Sequence, residues 1–231
     1  MTTMLTDLTP LWLSLKTAGA ATVITFFSGI AIARWISFYQ GKGKTFIDGL
    51  IILPMVLPPT VIGFILLIIF GKNGLIGQTL FKLGITIVFS WPAAVIAATV
   101  VSFPLMYKTT RGAFEQIDTR ILDAARTLGL SEWRIFWKIM LPLSLPSLCA
   151  GLTLSFARAL GEFGATLMLA GNIPGKTQTI PTAIYYAVES GDTEKAMMWV
   201  IIIVVISLII VFSLNQWANI RNRYTYKSQE G

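Results

Sequence analysis

Very few side chains in these 231 residues are equipped for chemistry. Histidine is absent and Cys149 is the single cysteine, which excludes histidine acid–base catalysis, Cys/His metal sites and an intrachain disulfide. Two fragments fall short of the phosphate loop G-x(4)-G-K-[ST]. Phe38 stands where the run ending in Gly43-Lys44-Thr45 needs glycine, and 171–177 is one residue too short. What remains are charges and helix breakers in unusual places. Arg158 and Glu162 lie four apart in an otherwise apolar stretch, which places them on one helix face. Ionisable groups at membrane depth face a partner or a cavity. The pair therefore serves either as mutual neutralisation or as a source of positive potential along an anion path. Pro54, Pro58 and Pro59 crowd one apolar run, and each removes a backbone donor. A gating helix and a packing kink both satisfy that pattern.

A third cluster lies in 114–138, too charged to cross a bilayer and too apolar for a free linker. It reads as two short amphipathic helices. Asp118 caps the first, with Ile121, Leu122, Ala125 and Leu128 on one face, and Gly129 ends it in a left-handed turn. Ser131 caps the second, with Trp133, Phe136, Trp137 and Met140 at helical spacing. Ala124 and Ala125 are small enough to admit another helix, so this is either a docking surface or a helix pair lying in the headgroups.

The elements that must carry these residues follow from composition. Charged residues are only 13% of the chain and apolar ones 55%, against about 25% charged in an ordinary soluble domain. A helix spanning the hydrocarbon core needs about 20 mostly apolar residues. Five stretches free of Asp, Glu, Lys and Arg reach this scale: 17–33, 49–71, 83–107, 139–157 and 196–220. None alternates with period two, as barrel strands would. Two shorter pieces, 163–175 and 177–188, read as an extension of the fourth span followed by a short helix or re-entrant turn.

Basic residues collect on cytoplasmic flanks. Twelve Lys and Arg lie on one set of alternating flanks and four on the other, which puts the N-terminus outside, the C-terminus inside and 114–138 in the cytoplasm. This topology accounts for the net charge of +7 without a nucleic-acid partner. No Lys or Arg precedes residue 16, so the first span is not expected to be a cleaved signal. The chain is expected to be one multi-pass unit over 11–217, with a short cytoplasmic tail at 218–231.

The run Asp123-Ala124-Ala125-Arg126-Thr127-Leu128-Gly129, then nine residues to Ile139 and on to Leu141-Pro142, resembles the E-A-A-x(3)-G-x(9)-I-x-L-P motif of ATP-binding cassette importer permeases. Asp123 replaces the usual Glu. The resemblance implies a type I permease bundle in the cell membrane, with five long helices plus a short one, that hydrolyses nothing itself. In that family the motif, here Asp123, Ala124, Ala125, Leu128, Gly129, Ile139, Leu141 and Pro142, couples to a separate ATPase that uses ATP and Mg; this chain is then expected to bind no cofactor or metal. Two ATPase subunits, a second copy of the permease and an extracytoplasmic binding protein are the implied partners, with membrane lipid around them.

The stretch from Phe156 to Thr166, which includes Arg158, Glu162 and Gly164, resembles the molybdate and sulfate importer permeases. Asn172-Ile173-Pro174-Gly175 followed by Thr179-Ile180-Pro181 looks most like the molybdate branch. Molybdate import by alternating access is the implied function, with tungstate as a possible second cargo and a sulfate or thiosulfate permease as the alternative. A secondary transporter or channel is the other class, but the relays of buried acids that such proteins often carry are missing apart from Glu162. Small residues, among them Gly161, Gly164 and Gly171, suit helix packing within one chain or between two copies.

Overall fold

The computed structural model describes residues 8–39 and 41–227, with side chains to Ile210 and at Phe212; residues 1–7, and 228–231 of the expected tail, lie outside the described residues. All regular structure among the described residues is helical. In chain order the helices are α1 (Thr9–Phe38), α2 (Lys44–Val56), α3 (Pro59–Phe70), α4 (Gly77–Lys82), α5 (Trp91–Glu115), α6 (Thr119–Thr127), α7 (Glu132–Ile135), α8 (Leu141–Leu160), α9 (Gly164–Ala170), α10 (Ile180–Glu189) and α11 (Thr193–Lys227). A π turn, Phe136–Met140, joins α7 to α8.

Among the described residues, four helical segments are long and apolar enough to cross a membrane: α1, α5, the run Glu132–Leu160, and Thr193–Ile210 of α11. The second expected span, 49–71, is not one kinked helix. Its halves, α2 and α3, meet at 113°. The cause is local, because a residue before proline is pushed out of the helical region. Leu57 is extended with ψ 145°, Pro58 follows at φ −54° and ψ 137°, and Pro59 opens α3 where a missing N–H costs nothing. Pro54, by contrast, is accommodated inside α2.

The third span also begins later than its apolar stretch, at Trp91. Ahead of it Phe89 takes a left-handed φ of 60°, held there by donating its N–H to Leu169 O at 3.1 Å. The expected extension of the fourth span is a separate helix, α9. The chain leaves α8 at Gly161 and restarts at Gly164.

Helix α5 is the central column, touching α1, α2, α3, α8 and α9. Its alanines explain why so many neighbours can approach. Ala93, Ala94, Ala97 and Ala98 are all fully buried, the first three against α3 and α9 and Ala98 against Ala18 and Ala21 of α1. The opposite situation holds on α11, where Ile201, Val204, Val205, Leu208 and Ile209 all point outward. An apolar outer surface of this extent matches a lipid solvent and would be a liability in water.

Candidate functional site

Two regions carry the residues singled out by the sequence. The first is the segment after α5, at the end of the bundle that the charge rule places in the cytoplasm. Asp118 caps α6 as expected, its carboxylate accepting from Arg120 N–H at 2.9 Å. The Arg120 side chain, paired with Asp118 at 2.7 Å, holds that carboxyl below the usual range, with the backbone N–H adding to the effect. Gly129 adopts φ 78° and closes the helix, with Leu130 N–H returning to Ala125 O at 3.1 Å.

The structure corrects three details of this segment. Ser131 occupies the cap position of α7 but makes no side-chain cap bond. The second amphipathic helix is no separate unit, since α7 runs through the π turn directly into α8. The predicted single faces are split as well. Leu122 and Ala125 are buried against the bundle, whereas Ile121 and Leu128 stand exposed, and Phe136 and Met140 are buried while Trp133 and Trp137 are exposed.

The π turn explains that second split. Leu141 N–H bonds Phe136 O, five residues back, and the wider turn rotates the residues that precede it relative to α8. Pro142, with no N–H to offer, follows immediately, so Ile139, Leu141 and Pro142 mark the exit from the π turn. Ile139 and Leu141 pack partly against the same buried cluster that takes Leu122 and Ala125.

The α6–α7 hairpin is held by Arg126. It meets Asp123 at 2.6 Å and Glu132 at 2.7 Å, so the shorter acid at 123 still finds its partner. Glu132 first and Asp123 second raise the affinity of this guanidinium for its proton. Arg34 ties the hairpin to α1, lying 4.2 Å over the Phe136 ring and 3.5 Å from Glu132 O. The apolar residues of α6 and its cap left facing outward are Ile121, Ala124 and Leu128, at spacings of three and four.

The second region is where two broken helices cross. Glu162 lies just past the end of α8, yet its pair with Arg158 forms, with Oε2 at 2.8 Å from Nη1. Glu162 is buried, and Oε1 accepts from Ala165 N–H at 2.8 Å, so the acid also caps α9. Directly beyond it Gly164 faces the α2–α3 elbow. A methyl group on Gly164 would sit 3.1 Å from Pro59 Cβ and 3.3 Å from Thr60 N. One turn further, a methyl group on Gly63 would come within 2.6 Å of Met168 Cβ and 2.8 Å of Ala165 Cα. Pro59, Arg158, Glu162 and Gly164 thus belong to one locus, whereas Pro54 sits within α2, away from the elbow.

With this geometry established, the chain matches over residues 21–219 the family of binding-protein-dependent transport system inner membrane components. The chain belongs to this family. This permease is 49% identical over 209 residues to YvgM of Bacillus subtilis (strain 168), a permease protein assigned provisionally to molybdenum transport, covering 90% of this chain and 92% of that one. It is 42% identical over 219 residues to the molybdenum transport system permease protein ModB of Escherichia coli (strain K12), covering 93% of this chain and 95% of that one. Its fold is that of the permease in a bacterial ABC transporter importing alginate, at TM-score 0.77 and 18% identity, over 92% of this chain and 78% of the other.

A further polar cluster went unnoticed in the sequence. Asp48 of α2 accepts from Tyr107 Oη–H at 2.7 Å and contacts the Arg111 guanidinium, both on α5. Arg111 in turn bonds Glu115 at 2.8 Å, and Lys44 approaches Glu115 at 3.7 Å. The available signal was a single acid at the very start of an apolar run, opposite an Arg–Glu pair spaced i, i+4 at the end of another. Lys16 likewise has a partner, the Trp91 ring at 4.1 Å, and Trp91 Nε1–H donates to Thr17 Oγ1 at 3.0 Å.

Proposed function

We propose that this chain is the membrane-spanning half of an ATP-driven importer of molybdate, working as a homodimer with two ATPase subunits and an extracytoplasmic binding protein. The observation that carries the proposal is the identity of 42–49% to molybdenum transport permeases over nine-tenths of the chain. A fold and an interior shared to that extent support a shared cargo. ATP and Mg belong to the partner subunits on this reading, and tungstate, a dianion of the same shape, is a natural second cargo.

The geometry supports particular roles. Ile121, Ala124 and Leu128, presented by a hairpin whose other face is sealed against the bundle, suit insertion into a groove on the ATPase. The segment 114–138 acts as the coupling element within a permease unit spanning 11–217, and Asp123, Gly129 and the Ile139-to-Pro142 exit set its shape. The crossing of the elbow with Gly164 and the Arg158–Glu162 pair acts as the gate, because interrupted backbone at membrane depth is tolerated where it faces protein or a water-filled path. Pro58 and Pro59 give α2, the lower arm of the broken span, its direction relative to α3, and Pro54 is carried within that arm. A second copy completes the pathway wall.

The test is ATP hydrolysis in liposomes holding this chain, its partner ATPase and the binding protein, with and without each oxyanion. Stimulation by molybdate or tungstate and not by sulfate is expected. Stimulation by sulfate alone reassigns the cargo, and no stimulation with all subunits assembled rejects the reading.

A further inference from the structure

We infer that Asp48, together with Tyr107, Arg111 and Glu115, is a positioning cluster that makes the lower arm of the broken span move as one body with the end of α5. The inference rests on the ATP-coupled reading above. Its basis is where the cluster lies. Arg111 and Glu115 occupy the last turns of α5, and α6, with its outward residues Ile121 and Leu128, begins four residues after Glu115. Asp48 and Lys44 occupy the first turns of α2, whose far end is the elbow at Pro58 and Pro59. The cluster is therefore the polar link between the docking hairpin and the broken helix.

Alternative links are weaker. Among the described residues none on α2 is buried, and its apolar attachment to the core cluster that holds Phe114, Leu122 and Ala125 is the partial packing of Ile47 and Ile51. An element without buried anchors is free to lag behind its neighbour. Three side chains of α5 converge on two of α2, with Asp48 receiving both a phenol and a guanidinium, and Asp48 and Arg111 are each about three-quarters or more withdrawn from solvent. Charge-assisted contacts in that setting are stronger than surface pairs and impose direction as well as proximity.

The experiment uses the complete complex in liposomes and reads anion uptake per ATP hydrolysed. Asp48→Cys and Arg111→Cys are combined in a Cys149→Ala background and measured before and after a short bifunctional thiol reagent links the two positions. Before linking, uptake per ATP should fall by about fivefold or more, the low end of measured couplings between sites, while hydrolysis continues. Linking should restore it, which a merely structural or electrostatic role would not produce. Unchanged uptake per ATP before linking, or failure of the link to restore it, overturns the inference. If the double variant does not assemble, Asp48→Asn alone decides: it keeps the shape and removes the charge, and unaltered uptake per ATP overturns the inference equally. A native complex that shows no anion-stimulated hydrolysis would instead remove the importer reading and this inference with it.

Discussion

The α6–α7 hairpin and the interior crossing both hold a turn between two helices, and they do so by opposite means. At the hairpin the turn is set by backbone conformation and by long charged side chains: Gly129 at φ 78°, with Arg126 gripping Asp123 and Glu132 from a partly exposed position. At the crossing the turn is set by contact. Gly63 and Gly164 let helices touch, and one buried acid, Glu162, serves both as counter-ion and as cap. Exposed ion pairs are weak and screened by salt, whereas a buried acid with two obligations is costly to disturb. The hairpin is therefore the adjustable part and the crossing the rigid one, which suits the docking and gating roles proposed for them.

The strongest way to break this contrast is at Glu162. Replacing it by Ala leaves the Arg158 guanidinium, only about a third exposed, without its counter-ion and leaves Ala165 N–H without an acceptor. Breaking a buried pair costs about 3–5 kcal/mol, and the lower end applies because Arg158 is partly exposed. Thermal unfolding of the purified permease in detergent should show the loss, and Glu162→Gln, which keeps an acceptor for Ala165, should recover part of it. Equal stability of Glu162→Ala and the parent would mean that the crossing is not held by this acid.

The two glycines sharpen the comparison, because they fail for different reasons. Gly63 has no room, so Ala there forces Met168 and the Ala165 backbone apart and should cost about 1–3 kcal/mol, the range for overpacking. Gly129 has open space around the site of its missing Cβ, so only its conformation is at stake. Val at 129 should cost about 1–2 kcal/mol and Asn much less, since Asn tolerates the left-handed region. The two substitutions should also separate in function. Gly129→Val should lower anion-stimulated ATP hydrolysis with the spans intact, and Gly63→Ala should lower thermal stability first. A Gly129→Asn variant as impaired as Gly129→Val would show that the left-handed turn is not the reason for glycine.

How much of this was legible beforehand depends on the range of the signal. Apolar length and basic flanks are local, so the long spans and the position of the hairpin could be read, as could the Asp118 cap and the Gly129 stop. The Arg158–Glu162 pair was legible because its partners are four residues apart. What could not be read was long-range or angular. Three prolines announced a local disturbance, but neither the 113° angle between the two helices nor the seating of α3 against Ala165 and Met168 can be read from neighbouring residues. Asp48 finds Tyr107 across 59 residues, which no window along the chain reveals. Ala124 and Ala125 are alike in sequence, and only the bundle decides that Ala125 is buried and Ala124 faces out. Ala125→Asp accordingly disturbs the chain's own packing, and Ala124 is the better probe of docking.

The smallest expected effect is at the hairpin's acid cap and concerns pH. Asp118 is held below the ordinary carboxylate value of 3.8 in the folded chain by Arg120, so its contribution has a definite sign. A carboxyl with a depressed folded value binds fewer protons folded than unfolded near that pH, and stability therefore rises with pH there. The contribution is complete above the ordinary value and disappears as the pH falls through the depressed one. Protection of the amides in the first turn of α6, taken relative to their intrinsic exchange rate at each pH, should fall on acidification below about that ordinary value of 3.8, and high salt should blunt the response because Arg120 is almost fully exposed. Asn at 118 preserves the cap, being as good an N-cap as Asp, and should remove the pH dependence without opening the turn at neutral pH. The crossing offers no comparable response to salt, since the acid that holds it is buried; a salt-sensitive crossing together with a salt-insensitive hairpin would reverse the assignment of the adjustable and the rigid part.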